Sequence, residues 1–279
     1  MKIDTFNTWL KDNHRKTLIM GILNVTPDSF SDGGKFGNAQ QAVDFALKMT
    51  EEGADIIDIG GESTRPGAKQ VNFEEELNRV IPVIEGIRKK SDIVISIDTY
   101  KSNVVEKAIT AGANIINDIS GLRFDNNMVH VASELQIPII IMHMLGNPQN
   151  MQADPFYTDI IEELILFFRE RVDSMTLNGI MKNNIILDPG IGFGKTVNNN
   201  FTIIRELNRI VEMGFPVLVG PSRKSFIGLT LNLPPEERIE GTAAAITAAI
   251  INGSRIVRIH DVKEMSRVVK ITDQICGIT

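Results

Sequence analysis

A single cysteine, Cys276, among 279 residues leaves no partner for an internal disulfide, which fits a reducing cytoplasm or indifference to redox state. There is no surplus of positive charge. Lys and Arg number 29 against 35 Asp and Glu, a formal net charge of -6. That argues against a protein whose main task is coating nucleic acid, because counterion release needs a field of unopposed cations. A small anionic substrate remains open, since a few local cations can hold one. No apolar run reaches the roughly 18 residues of a membrane helix. Lys2, Asp4, Lys11, Asp12, Arg15 and Lys16 interrupt the first twenty residues, so no signal peptide is read there. Neither a linker rich in Gly, Pro or Ser nor a shift in composition divides the chain, although 22 glycines and 11 prolines are present. One domain over 1–279, in the cytoplasm and away from membranes, is expected.

Eight short apolar runs are present, at 18–23, 55–59, 93–97, 114–117, 137–142, 184–187, 216–219 and 255–259. They are continuous, as in Ile139-Ile140-Ile141, which is how parallel strands covered on both faces read. Helical patterns at 40–52, 74–90, 102–111, 126–135, 155–178, 200–213, 236–252 and 262–275 separate or follow them. Gly53, Gly112, Gly214 and Gly253 stand where left-handed helix caps belong. Eight such units predict a single (β/α)8 TIM barrel. The rival, a doubly wound open sheet, would carry a glycine fingerprint after its first strand, and Gly21-Ile22-Leu23-Asn24 offers none.

In a barrel the working face is the carboxyl end of the strands. Here those ends carry Asn24, Asp58, Asp98, Asn117, His143, Asp188, Ser222-Arg223-Lys224, and Arg258 with His260. Any one could be a helix N-cap, but eight converging ends are hard to explain that way. Asp58, Asp98 and Asp188 directly follow apolar residues, and a carboxylate at the edge of a buried layer needs a donor. The candidates are an internal cation such as Lys224, or a ligand offering adjacent N–H groups. Arg258 lies between Val257 and Ile259 and so belongs within a strand. Lys224, Arg258 and His260 place positive charge after the last two strands, where barrels often hold phosphate. Asn24 offers the neutral oxygen that suits a Mg²⁺ keeping most of its waters.

Two segments, 25–34 and 60–67, are too long and too rich in Gly, Pro, Ser and Thr for plain turns, and read as binding loops or lids. Phe30 lies on the first and Arg65 on the second. Gly190-Ile191-Gly192-Phe193-Gly194-Lys195-Thr196 is superficially like a P-loop, but Pro189 stands where the first glycine is required, which excludes an NTPase.

The strings Gly21-Ile22-Leu23-Asn24-Val25-Thr26-Pro27-Asp28-Ser29-Phe30-Ser31-Asp32-Gly33-Gly34 and Asp58-Ile59-Gly60-Gly61-Glu62-Ser63-Thr64-Arg65-Pro66-Gly67 resemble the two signature motifs of the dihydropteroate synthase family. The resemblance continues in order through Ser96-Ile97-Asp98-Thr99, Asn117-Asp118-Ile119-Ser120-Gly121, Met142-His143-Met144, Leu187-Asp188-Pro189-Gly190-Ile191-Gly192-Phe193-Gly194-Lys195-Thr196, Gly220-Pro221-Ser222-Arg223-Lys224-Ser225 and Arg258-Ile259-His260-Asp261. It covers about residues 17–265.

The resemblance implies a (β/α)8 transferase of folate synthesis that joins 6-hydroxymethyl-7,8-dihydropterin pyrophosphate to p-aminobenzoate. By the same resemblance Asp58, Asp98, Asn117, Ile119, Met142, Asp188, Phe193, Gly220, Lys224 and Arg258 hold the pterin. Asn24, Thr64, Arg65, Arg258 and His260 hold the pyrophosphate, with Mg²⁺ on Asn24. Phe30, Pro66, Lys224 and Ser225 surround p-aminobenzoate, and Asp98, Lys224, Arg258, Asp32 and Arg65 take part in catalysis. His143 supports a strand end. A homodimer and sensitivity to sulfonamides are also implied.

Two rivals are weaker. A methyltetrahydrofolate-dependent corrinoid methyltransferase would keep an Asp/Asn pterin pocket but has no use for Ser222-Arg223-Lys224 or the two long loops. A non-catalytic pterin- or nucleotide-binding regulator would be expected to lack a member of the set Asn24, Arg65, Lys224, Arg258 and His260, and all are present.

Overall fold

The computed structural model describes residues 1–12, 15–26, 34–63, 67, 68 and 70–278, with backbone alone over 34–38. Its strands are β1 (Leu18–Asn24), β2 (Ile56–Gly60), β3 (Val94–Asp98), β4 (Ile115–Asp118), β5 (Ile139–Met142), β6 (Ile185–Asp188), β7 (Leu218–Val219) and β8 (Ile256–Ile259). All pairs are parallel, in the order β6-β5-β4-β3-β2-β1-β8-β7. A further parallel bridge, Leu187 to Val217, joins β6 to the start of β7 and closes the circle. The expected barrel is therefore present, and closure removes every sheet edge.

Between strands the chain runs through α2 (Gly34–Glu51), α3 (Phe73–Arg88), α4 (Ser102–Ala111), α5 (Met128–Leu135), α6 (Ile160–Leu177), α7 (Val197–Arg205), α8 (Leu207–Val211), α9 (Ser225–Leu231) and α10 (Ile239–Ile251), ending in α11 (Val262–Ile275). Gly53, Gly112, Gly214 and Gly253 have φ of 113°, 116°, 84° and 101°, as their places after helices predict. The pattern at 200–213 is two helices rather than one, because Glu206 leaves the helical region at φ -108°, ψ 21°.

Sequence periodicity did not predict α1 (Ile3–Lys11). Its Phe6, Trp9 and Leu10, spaced i, i+3, i+4 on one face, are buried with the lower barrel interior. That interior comprises Leu18, Met20, Ile56, Val94, Ile115, Ile140, Ile186, Leu218 and Ile256. α1 thus plugs the amino end of the cylinder.

Side chains alternate in a strand, so the residue two places on points to the same interior. Two places beyond the hydrocarbon layer stand Asp58, Ser96, Asn117, Met142, Asp188, Gly220 and Arg258. Two residues along β2, β3, β4, β6 and β8 the barrel interior changes from oil to a polar cup.

Candidate active site

Arg258 organises the floor of this cup. From β8 its Nε donates to Asp58 Oδ2 at 2.6 Å and its Nη2 to Asp98 Oδ2 at 2.8 Å. Asn117 Nδ2 lies 3.3 and 3.1 Å from the two oxygens of Asp58. Asp58 is fully buried and its charge is met by these donors. For Asp58 and Asp98 the bonded internal cation is therefore Arg258, while Lys224 acts on Asp98 and Asp188 through its charge alone. Burial disfavours a charged Arg258, but Asp58 and Asp98 outweigh it and hold the guanidinium above its ordinary value. Burial pushes the Asp98 carboxyl up, against the pull of Arg258 and reinforced by neighbouring Asp58.

Asp188, at the end of β6, accepts the Gly190 N–H at 2.7 Å. Burial raises it to about 6, although that bond and the charges of Arg258, Lys195 and Lys224 oppose the rise. Asp188 keeps further acceptor positions toward the cup, because a carboxylate has about four.

Lys224 is the N-cap residue of α9 and rests its Nζ 4.1 Å from the centre of the Phe193 ring, a cation–π contact. Burial and the nearby Arg258 lower it to about 8, while Asp188 and Asp98 resist. Phe193 forms one apolar wall with Ile119, Met142, Met144 and Met151. Gly220 has no side chain between this floor and Arg258, whose Cβ a substituent there would approach to 3.5 Å.

At the rim, Ser222 Oγ is 3.0 Å from His260 Nδ1 and accepts the His260 N–H at 3.2 Å. Burial, with Arg258 and Arg223 adding to it, lowers His260 to about 4. Asn24 ends β1 beside Gly60 and is partly exposed. Ser225 opens α9 and is exposed. Phe30, Asp32, Thr64, Arg65 and Pro66 lie outside the described residues. Among the described residues no three His, Cys, Asp or Glu side chains cluster as a metal site.

Three groups escaped the sequence reading. Ser96, in register with Asp58, has a buried Oγ with no hydrogen-bond partner among the described residues, and its place two beyond Val94 would have found it. Glu62 accepts from Tyr100 at 2.9 Å and from Lys101 at 2.5 Å, and Lys101 also reaches the buried Glu76 at 2.5 Å. This cluster ties the second long loop to α3. Lys195, to which the sequence assigns no role, is buried and its Nζ meets Nδ1 of His143 at 3.1 Å. His143 is thus packed away from the cup, edge-on to Phe167.

A cup of carboxylate and amide acceptors, two cations and one apolar wall suits a flat heteroaromatic ring bearing adjacent N–H donors. Residues 20–260 match the pterin binding enzyme family. The chain is 50% identical to dihydropteroate synthase of Synechocystis over 95% of its own length and 92% of the relative's. It belongs to the dihydropteroate synthase family of pterin-binding enzymes. Two solved members of that family show the same fold. The Yersinia pestis dihydropteroate synthase with a sulfonamide drug complex superposes with a TM-score of 0.90 at 42% identity, covering 95% of this chain and 96% of that one. The Clostridium difficile dihydropteroate synthase crystallised with pteroic acid gives 0.89 at 46%, covering 95% and 98%.

Proposed function

We propose that the protein is a dihydropteroate synthase, joining 6-hydroxymethyl-7,8-dihydropterin pyrophosphate to p-aminobenzoate and releasing pyrophosphate and 7,8-dihydropteroate. The observation that carries this reading is Arg258 bonded at once to Asp58 and Asp98, with Asn117 bonded to Asp58 and Asp188 in the same layer two places beyond the hydrocarbon. The relative's pteroic acid is a pterin already joined to aminobenzoate, the two halves this reaction unites.

In this reading Asp188 and Asn117 take the pterin's ring N–H and amino groups, with Asp98 beside them. Lys224 donates to a ring acceptor, and Ile119, Met142 and Phe193 line one side, with Gly220 leaving room for the ring. The methylene carbon loses its C–O bond, and the electron pair leaves with pyrophosphate. The resulting cation is delocalised into the electron-rich dihydropterin. The amine lone pair of p-aminobenzoate then forms the C–N bond and a proton departs, so no protein nucleophile is needed. Arg258 and His260, with Thr64 and Arg65, receive the departing negative charge, which is where such a site lowers its barrier. Phe30, Pro66, Lys224 and Ser225 hold the aminobenzoate ring, and Asp32 faces the cation. Excluding water matters because water would trap the cation as the alcohol.

The donor set fits Mg²⁺ only as a companion of the substrate. Asn24 supplies one neutral oxygen, and no acidic cluster among the described residues would hold the ion alone. Bound to Asn24 and pyrophosphate, Mg²⁺ would neutralise phosphate charge.

We further propose that the one barrel domain, 1–279, works in the cytoplasm as a homodimer, in keeping with its single cysteine and its family. No helix of the described residues is long and apolar enough to cross a membrane. The purified protein with Mg²⁺, the pterin pyrophosphate and p-aminobenzoate should release pyrophosphate, and a sulfonamide should compete with p-aminobenzoate. Release that requires a corrinoid methyl acceptor, or no release at all, overturns the reading.

A further inference from the structure

Lys195 is a buried cation near the cup that the reaction above leaves without a role. It is 3% exposed and sits in the β6–α7 connection among Gly190, Gly192 and Gly194, whose φ are 69°, 82° and 64°. Its Nζ meets His143 Nδ1 at 3.1 Å, the His143 carbonyl at 3.3 Å and the Phe193 carbonyl at 3.0 Å. Burial lowers it to about 7, with Lys224 adding to the fall and Asp188 resisting, so below that value it is an ammonium whose three protons each find one acceptor here. Nδ1 must then accept, which leaves the His143 proton on Nε2. No carboxylate bonds to this ammonium among the described residues.

The two stapled carbonyls flank the pterin-binding groups. The His143 N–H donates to the Asp188 carbonyl at 3.0 Å, the Asp188 carboxylate accepts from Gly190 at 2.7 Å, and the Phe193 N–H donates to the Gly190 carbonyl at 3.0 Å. The Phe193 ring in turn underlies Lys224. The fit leaves no slack: a Cβ on Gly190 would stand 2.0 Å from the same His143 carbonyl that Lys195 holds.

We propose that Lys195 is a positioning residue of the pterin site, a buried ammonium that ties the end of β5 to the β6–α7 connection and so fixes the Asp188 carboxylate and the Phe193 ring beneath Lys224. This rests on the pterin-site reading given above. The charge has a second effect, since it favours the ionised Asp188 that accepts ring donors. The charged groups acting on Asp188 are Arg258 on β8, Lys195 on its own connection and Lys224 after β7, with Asp58 and Asp98 bonded to the far side of Arg258. Arg123 and His143 lie behind Lys195, and His143 is held neutral by burial, Lys195 and Arg123.

The test is calorimetric binding of 6-hydroxymethylpterin from pH 5 to 8.5 to the unaltered protein, to Lys195→Met and to Lys195→Gln, with steady-state kinetics alongside. Glutamine keeps N–H donors without the charge and guards against a Met variant that does not fold. Lys195→Gln should weaken pterin binding about tenfold at pH 7 and move the acid limb of affinity upward by about half a pH unit or more, as loss of a nearby cation requires. KM for the pterin substrate should rise while KM for p-aminobenzoate holds. An equal loss at every pH with the limb unmoved would reduce Lys195 to a packing element, and unchanged binding would remove it altogether. Histidine ¹⁵N spectra of the unaltered protein at pH 5.5, where Lys195 is charged, supply an independent arm, since a proton on Nδ1 of His143 overturns the staple. If the unaltered protein binds no pterin while His143 shows the Nε2–H form, the pterin reading fails and the staple stands.

Discussion

Arg258 and Asp58 are separated by 200 residues in sequence and joined by a 2.6 Å hydrogen bond inside the barrel. Asp58 has no exposed surface, so its charge depends on this guanidinium and on Asn117. Removing one partner of a buried pair strands the other. Asp58→Asn is therefore expected to destabilise the ligand-free protein by about 3 kcal/mol. Urea unfolding followed by the fluorescence of Trp9, the sole and buried tryptophan, measures it.

Asp188 links pH to binding. With burial raising its carboxyl to about 6, the charged acceptor is lost as pH falls through that value, so pterin affinity should drop on the acid side. Asp188→Asn should cost about 2 kcal/mol in binding, because ring donors lose an acceptor, and should abolish the Asp188 part of the acid limb. The stability effect has the opposite sign. An acid raised above its ordinary 3.8 in the folded state stabilises most below 3.8 and loses that contribution as pH rises through about 6. The Asn variant should thus be at least as stable as the parent at pH 7.5. Calorimetry and denaturant titration at two pH values separate these effects.

Gly190→Ala should be among the most damaging single-methyl changes. The residue combines a left-handed φ of 69° with a backbone carbonyl 2.0 Å from the new Cβ. Strain alone costs about 1–2 kcal/mol, and the collision displaces backbone that Lys195 also holds. A thermal midpoint within a degree or two of the parent would contradict this account.

Phe6→Ala opens a cavity at the amino end, beneath the hydrocarbon layer and away from the polar cup. A loss of about 3 kcal/mol or more is expected, with KM for both substrates nearly unchanged. Kinetics below the unfolding range check the second half, since a large rise in either KM would mean that the plug shapes the cup.

The barrel and its polar floor were legible because strand ends betray themselves: each carboxylate or amide directly follows an apolar strand residue. Arg258 was legible as a strand residue from Val257 and Ile259 alone. Its choice of Asp58 and Asp98 was not, because that pairing exists only once β8 has closed beside β1. α1 escaped because nine residues with no side-chain N-cap carry a weak local signal, although Phe6, Trp9 and Leu10 bear the right spacing. Lys195 escaped for another reason. It stands in a glycine-rich string, 190–196, whose local pattern assigns it no role, and its burial against His143 exists only once β5 and β6 are paired.

The cylinder is completed by a single bridge at Leu187, next to Asp188. Its weakest joint and the carboxylate proposed to hold the pterin are therefore neighbours, so a molecule gripping Asp188 and Arg258 together would act as a rivet across the half of the wall that contains the seam. Ligand binding should then slow opening of this seam, and the amide of Leu187 is the place to watch it by hydrogen exchange.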